Sequence, residues 1–139
     1  MKIAFFEVKE WEKEKLKKSL EKDQLYFSKE ILNTGNFDKA KNAEVLSVFI
    51  YSKIDANLLN KIPRLKLIIT RSTGFDHIDI DYCKKRGIIF FSTPMSRGAA
   101  QILDEVGVDL WKVGSGDILD FVLLDHLRQS RKPIITSSG

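Results

Sequence analysis

The residues best suited to chemistry form a run of ten, Thr70-Arg71-Ser72-Thr73-Gly74-Phe75-Asp76-His77-Ile78-Asp79, directly after the strand-like stretch Leu65–Thr70. A turn of small residues at the carboxyl end of a parallel strand can aim backbone N–H groups at an anion, since nothing bulky screens them. The same spacing also fits a plain strand-to-helix connection, so on spacing alone both readings stand. A second small-residue turn, Gly114-Ser115-Gly116, lacks the third glycine and the downstream acid of a dinucleotide fingerprint, so no cofactor is expected. His77 and His126 have no clustered acids around them, so no metal is expected either. Cys83 is the single cysteine; it cannot form an internal disulfide and suits a reducing compartment.

What must position these residues is an alternation of strand-like and helix-like segments. Apolar runs at Ile3–Phe6, Gln24–Phe27, Val45–Tyr51, Leu65–Thr70, Ile88–Phe91, Leu110–Val113 and Pro133–Ser137 read as strands. After the first comes a charged helix with Trp11, Leu16 and Leu20 as its apolar stripe, acids early and lysines late as the macrodipole favours. Leu32–Asn36 reads as a loop and Asp38–Ala43 as a short helix. Asp55–Ile62 is a helix ended by Pro63, and Asp79–Arg86 one closed by Gly87, where left-handed geometry is needed. Ser96 caps a helix with Ala99, Ile102, Leu103 and Val106 on one stripe and Gly107 as its stop. Asp120 caps the last helix, with Phe121, Leu124 and Leu127 inward. Such regular alternation calls for an α/β fold, a parallel sheet with right-handed crossovers.

At 139 residues the chain has room for a single domain, 1–139, with one core. No apolar run approaches the ~20 residues that span a bilayer. Met1-Lys2-Ile3 begins on a strand-like run with no leader. A cytoplasmic protein without a membrane partner is expected. The net charge of +4 is uneven: residues 1–87 hold 18 Lys and Arg against 13 Asp and Glu, residues 88–139 only 5 against 6. The lysines of Glu10–Lys22 alternate with glutamates and have no aromatic platform among them, so nucleic acid is not an expected partner. The shift in composition hints at two halves of different origin.

The wider stretch Val48-Phe49-Ile50-Tyr51, Pro63-Arg64-Leu65-Lys66-Leu67-Ile68-Ile69 through Asp79, and Tyr82-Cys83-Lys84-Lys85-Arg86-Gly87-Ile88 closely resembles D-2-hydroxyacid dehydrogenases. Residues 1–88 look like the flavodoxin-like substrate domain of that family, in its D-lactate dehydrogenase-like form. The resemblance implies that Ser72, Thr73 and Gly74 hold a substrate carboxylate through backbone amides and that Tyr51 borders the site. It also implies that hydride chemistry needs an Arg, a Glu and a His from a second, dinucleotide-binding domain.

After Ile88 the motifs change. Phe90-Phe91-Ser92-Thr93-Pro94-Met95-Ser96-Arg97, Leu110-Trp111-Lys112-Val113-Gly114-Ser115-Gly116-Asp117 and Lys132-Pro133-Ile134-Ile135-Thr136-Ser137-Ser138-Gly139 resemble sialic-acid (N-acetylneuraminate) synthases, which are (β/α)₈ barrels. The resemblance implies that Thr93 and Lys112 face a phosphoenolpyruvate carboxylate and that Ser115 and Ser137 face its phosphate. Trp111 and Ser138 depart from the usual Phe and Thr. The other barrel strands, the metal-binding histidines and the sugar-binding domain have no counterpart among these residues.

Residues 1–88 and 89–139 thus read as two segments of one deliberate chimera, joined at Gly87-Ile88, where both parents share a helix, a glycine stop and a buried strand. The sheet should run in the flavodoxin-like order 2-1-3-4-5, extended by two barrel-derived βα units as strands six and seven. The chain should have no complete catalytic function and should not be an enzyme. Weak binding of phosphate or a phosphoenolpyruvate-like anion is expected at Thr93, Lys112, Ser115 and Ser137. The competing reading is an incomplete dehydrogenase-like or synthase-like enzyme that a partner chain completes. Ile89, Phe91, Leu110 and Ile135 should lie on a poorly covered face, with strand seven an open edge, so a homodimer is expected.

Overall fold

A computed structural model of the protein describes residues 1–72 and 74–137. Seven strands, β1 (Lys2–Phe5), β2 (Gln24–Phe27), β3 (Val45–Val48), β4 (Leu67–Thr70), β5 (Ile89–Ser92), β6 (Leu110–Val113) and β7 (Ile134–Thr136), alternate with helices. The helices are α1 (Glu10–Ser19), α2 (Ala56–Asn60), α3 (Ile80–Lys85), α4 (Arg97–Val106) and α5 (Phe121–Gln129). The strands are ordered 2-1-3-4-5-6-7, the α/β order expected above. Contacts group the chain into two compact units, Met1–Ile89 and Phe90–Gly139.

In the first unit the strands run β2-β1-β3-β4, each pair parallel. Ile3 opposes Leu25 on one side and Val45 on the other, and Val45 opposes Leu67, so these four share a face. Leu16 and Leu20 of α1 pack on that face with Ile3, Phe5, Val8 and Val45. Trp11, expected in the same stripe, stands exposed, because at 3.6 residues per turn it falls on the side of the helix away from Leu16 and Leu20. Phe5 and Phe27, cross-strand partners, stack at 5.1 Å. The opposite face carries Ala4, Leu46 and Ile68, all buried. Right-handed crossovers bring buried Leu58 and Leu59 of α2 and Cys83 of α3 to that side. Asp55 and Asp79 cap these two helices through the amides of Leu58 and Tyr82. Gly87 ends α3 with φ 64°. The expected short helix at Asp38–Ala43 is a single 3₁₀ turn, Phe37–Lys39.

In the second unit β5, β6 and β7 pair in parallel. Ser96 caps α4 through the Ala99 amide, Gly107 closes it with φ 80°, and Asp120 caps α5 through the Leu123 amide. Ala100, Leu103, Leu123, Leu127, Trp111 and Val113 make the buried layer. Ile102 and Phe121, expected inward, are 56% and 73% exposed. The buried pair Leu123 and Leu127, one turn apart, sets which side of α5 faces in and turns Phe121 out. Phe91 pairs with Leu110, and Lys112 with Ile135, on the face that these buried residues do not share. Phe91 and Leu110 are half-buried there and Ile135 is 47% exposed. All three residues of β7 are exposed. In a closed barrel the helix-free face of each strand looks into the lumen; here it meets solvent.

Candidate functional site

The carboxyl ends of β1, β3 and β4 converge on one polar cluster in the first unit. β3 stops at Val48, three residues before the expected Tyr51, because the backbone beyond it bonds to a side chain instead of a strand. That side chain is Glu7. Its carboxylate accepts from the amides of Phe49 (3.4 Å), Tyr51 (2.9 Å) and Ser52 (3.0 Å), and from the Ser52 hydroxyl. Burial pushes the Glu7 carboxyl up, but these four donors outweigh it and hold the group below its usual value.

Arg71 ties the same ends together from β4. Its guanidinium donates to the carbonyls of Phe6 (2.8 Å) and Glu7 (2.9 Å) and to the Ser47 hydroxyl (2.9 Å), and lies 3.6 Å from the Glu12 carboxylate. Burial lowers its proton affinity against the pull of Glu12 and Glu7; a guanidinium nevertheless keeps its charge in proteins. Next in the chain, the Ser72 and Thr70 hydroxyls bond at 2.6 Å, and Ser72 donates to the Gly74 carbonyl at 2.9 Å. Thr70 also reaches the Phe49 carbonyl at 3.5 Å. At its far end the turn is pinned by Ile54, whose amide donates to His77 and whose carbonyl accepts from Asp79. Burial holds the His77 imidazole below its usual range, opposed by the Glu7 charge, a hydrogen bond with the Phe49 backbone and the Asp76 charge.

The structure therefore brings Ser72, Gly74 and the Tyr51 loop to neighbouring strand ends; Thr73 lies outside the described residues. Among the described residues the amides of Ser72 and Gly74 donate to nothing, and a Cβ at Gly74 would meet no atom within 4 Å. The turn thus carries two N–H groups that have no partner among the described residues, with the Ser72 hydroxyl bonded to its neighbours. Glu7 was not singled out by sequence, and Arg71 was named within the turn without a role of its own. The available signal was a carboxylate directly after an apolar strand, a position where strand ends leave amides to satisfy.

In the second unit Thr93 follows β5, Lys112 lies on the open face of β6, and the Ser137 amide extends the β6–β7 pairing to the Val113 carbonyl at 3.0 Å. Thr93 and Lys112 share a face by alternation from the Phe91–Leu110 pair. Ser115 opens an exposed 3₁₀ turn, Ser115–Asp117, on which the Asp117 amide bonds the Gly114 carbonyl at 3.0 Å. Asp117 carboxylate oxygen lies only 3.2 Å from where a Cβ on Gly114 would stand. That acid repels an anion from the turn, and the residues Gly114–Asp117 also do not fit a dinucleotide. No helix N-terminus follows the glycines directly, and a carboxylate takes the place of a pyrophosphate. Among the described residues no ion pair involves Lys112.

Comparison with known proteins adds family relationships to this geometry. The family model described as D-isomer specific 2-hydroxyacid dehydrogenase, catalytic domain, matches residues 3–101, well over half the chain. The NeuB family model matches residues 76–139. The two matches overlap across α3, Gly87, β5 and the start of α4, so the first extends beyond the expected end at residue 88. This chain has a helix, a glycine and a strand there, and neither match breaks at the join. The 2-hydroxyacid dehydrogenase homolog 1 of Schizosaccharomyces pombe is 34% identical over 98 residues, 68% of this chain and 30% of that protein. Glyoxylate reductase of Thermococcus onnurineus is 30% identical over 89 residues, 64% of this chain and 22% of that protein. The crystal structure of D-lactate dehydrogenase from Aquifex aeolicus, complexed with NAD and lactic acid, superposes with a TM-score of 0.62 at 27% identity. That superposition covers 98% of this chain and 56% of the other. The chain thus spans less than a third of these curated relatives. The expectation that the chain is not an enzyme is overturned by the dehydrogenase match: its origin lies in an enzyme family, of which it spans a part. No helix among the described residues is long and apolar enough to cross a membrane.

Proposed function

Because the chain belongs to the D-isomer specific 2-hydroxyacid dehydrogenase family, we propose that its first unit is the carboxylate-holding half of such an enzyme. It binds a small 2-hydroxy or 2-oxo acid at Ser72–Gly74, beside Tyr51. The observation that carries this reading is the pair of amides at Ser72 and Gly74, which donate to nothing among the described residues, while the Ser72 hydroxyl is already bonded and a Cβ at Gly74 would meet no atom within 4 Å. Amides held in this way need no reorganisation when an oxyanion arrives. The residues that would transfer a hydride come from a partner chain, and this chain supplies the grip on the substrate's carboxylate. An amide-resolved NMR titration with pyruvate tests it. Shifts should centre on Ser72, Gly74 and Tyr51 and saturate in the millimolar range, about −4 kcal/mol. Scattered shifts, or none up to tens of millimolar, would sink the reading.

A second, weaker reading concerns the segment matched by the NeuB family. Lys112, a cation without an ion pair among the described residues, opposite Ile135 on the open face, with Thr93, Ser115 and Ser137 at neighbouring strand ends, supports binding of phosphate or a phosphoenolpyruvate-like anion. Asp117 weakens such a site, so affinity should rise in Asp117→Asn and vanish in Lys112→Ala. A phosphate titration in which neither variant differs from the parent would remove this site. We read the two overlapping matches as the parents of one chimeric, engineered chain; a genome carrying the whole reading frame as one gene would overturn the engineered origin.

A further inference from the structure

Glu7 lies outside every motif described above, yet the loop that carries Tyr51 is built on it. The backbone at Glu7 takes a left-handed step, φ 58°. A residue with a Cβ keeps that conformation only where its surroundings over-determine it, and such positions cluster at functional sites. Here the surroundings are specific. The Glu7 amide donates to the Glu30 carbonyl at 3.1 Å, its carbonyl accepts from Arg71, and its carboxylate takes four donors from Phe49–Ser52. The loop is held from its other side too, since the Phe49 backbone bonds to the His77 side chain. Phe49 and Tyr51, both exposed, meet edge to face at 6.3 Å on this clamped backbone.

We propose that Glu7 is the positioning residue of the candidate carboxylate site: its carboxylate clamps Phe49–Ser52, the loop at the strand end next to β4, and so fixes the backbone that carries Tyr51. This rests on the reading that the first unit holds a 2-oxo acid at that turn. The division of labour between the two oxygens makes the charge form indispensable. One oxygen accepts from Phe49, the Ser52 amide and the Ser52 hydroxyl; the other serves Tyr51 alone. A carboxylate accepts at both oxygens, whereas a glutamine of the same size has an amide group that only donates at one of them. With its oxygen placed among the three donors, a glutamine NH₂ would face the Tyr51 N–H and release that residue specifically. Aspartate, one methylene shorter, cannot reach the loop.

The test uses the full chain, with Glu7→Gln and Glu7→Gly. The glycine variant accepts the left-handed step without strain, so it guards against misfolding of the first. With pyruvate as the probe, the parent should shift the amides of Ser72, Gly74 and Tyr51. Both variants should keep the Ser72 and Gly74 shifts, lose the Tyr51 shift and bind about tenfold more weakly, the scale of one lost hydrogen bond. In the free parent, the Tyr51 and Ser52 amides should follow one acid titration that both variants lack, with Arg71, Glu12 and His77 as the other charged or titratable groups around it. Equal affinity with the Tyr51 shift retained overturns the role of Glu7 and leaves the carboxylate site standing. No pyruvate shifts in the parent, with Tyr51 and Ser52 still titrating, removes the site itself and Glu7's part in it.

Discussion

At the carboxyl end of β4 the Thr70 and Ser72 hydroxyls bond each other, Arg71 grips the end of β1, and Glu7 holds the loop after β3. At the carboxyl end of β6 the residues are no less polar, but Lys112 has no ion pair among the described residues, Ser115 is exposed and Asp117 folds back over Gly114. The difference lies in the supporting shell. A strand end becomes a site when neighbouring groups fix it before a ligand comes. In the first unit each polar residue is held by another strand end. In the second, no ion pair fixes Lys112 among the described residues, and Ile135 beside it is 47% exposed.

The contrast should appear most strongly in core packing. Leu46→Ala, at the buried centre of the first unit, should cost about 2–5 kcal/mol, while Ile135→Ala on the open face should stay within about 0.5 kcal/mol. Urea denaturation of the two variants measures this; similar losses would mean that the open face is covered in solution. Next in size is the contrast of cations. Arg71→Ala strips hydrogen bonds from the Phe6 and Glu7 carbonyls just after β1 and leaves Glu12 without its partner, for a loss of about 2–3 kcal/mol. Lys112→Ala should be nearly neutral in the same thermal melts. The caps should erase the contrast: Asp79→Ala and Asp120→Ala each remove one N-cap bond, and each should cost about 1 kcal/mol. A cap loss confined to one unit would show that the helices of the other fray in solution.

The smallest expected effect is in pH. The Glu7 carboxyl is held below its unfolded value of 4.5, so its contribution is fully present above that value and is lost as pH falls through the folded one. Glu7→Gln should flatten the acid limb of the stability profile in that window alone. Asp125 is also held low, by hydrogen bonding to Arg128, but it is fully exposed. Salt should screen it, so Asp125→Asn should leave the profile in 0.5 M sodium chloride, roughly a 4 Å Debye length, unchanged.

Periodicity and punctuation made most of the fold legible. Seven strands, the caps at Ser96 and Asp120 and the glycine stops at Gly87 and Gly107 follow from local rules that tertiary structure did not overrule. Misjudged positions were matters of rotation and termination. Phe121 faces out because Leu123 and Leu127 claim the inner side, and β3 ends early because Glu7 competes for its amides. The turn at Ser72–Gly74 was legible as small residues after a strand. Its support by Glu7 and Arg71 was not, because those contacts span 44 and 65 residues and leave no local pattern.

Gly87, where α3 stops and the two family matches overlap, has a further consequence in handedness. Its φ is 64°, and a Cβ built there would meet nothing within 4 Å. What excludes larger residues is thus the sense of the backbone, with space to spare. An L-alanine would cost about 1–2 kcal/mol from its own carbonyl clash. The mirror-image residue would sit in its preferred basin and restrict the unfolded chain, a gain of about 0.4–1 kcal/mol. A chain assembled by chemical ligation with D-alanine at position 87 should therefore be more stable than the parent with glycine, and its L-alanine counterpart less stable: two variants of identical composition, separated by chirality alone.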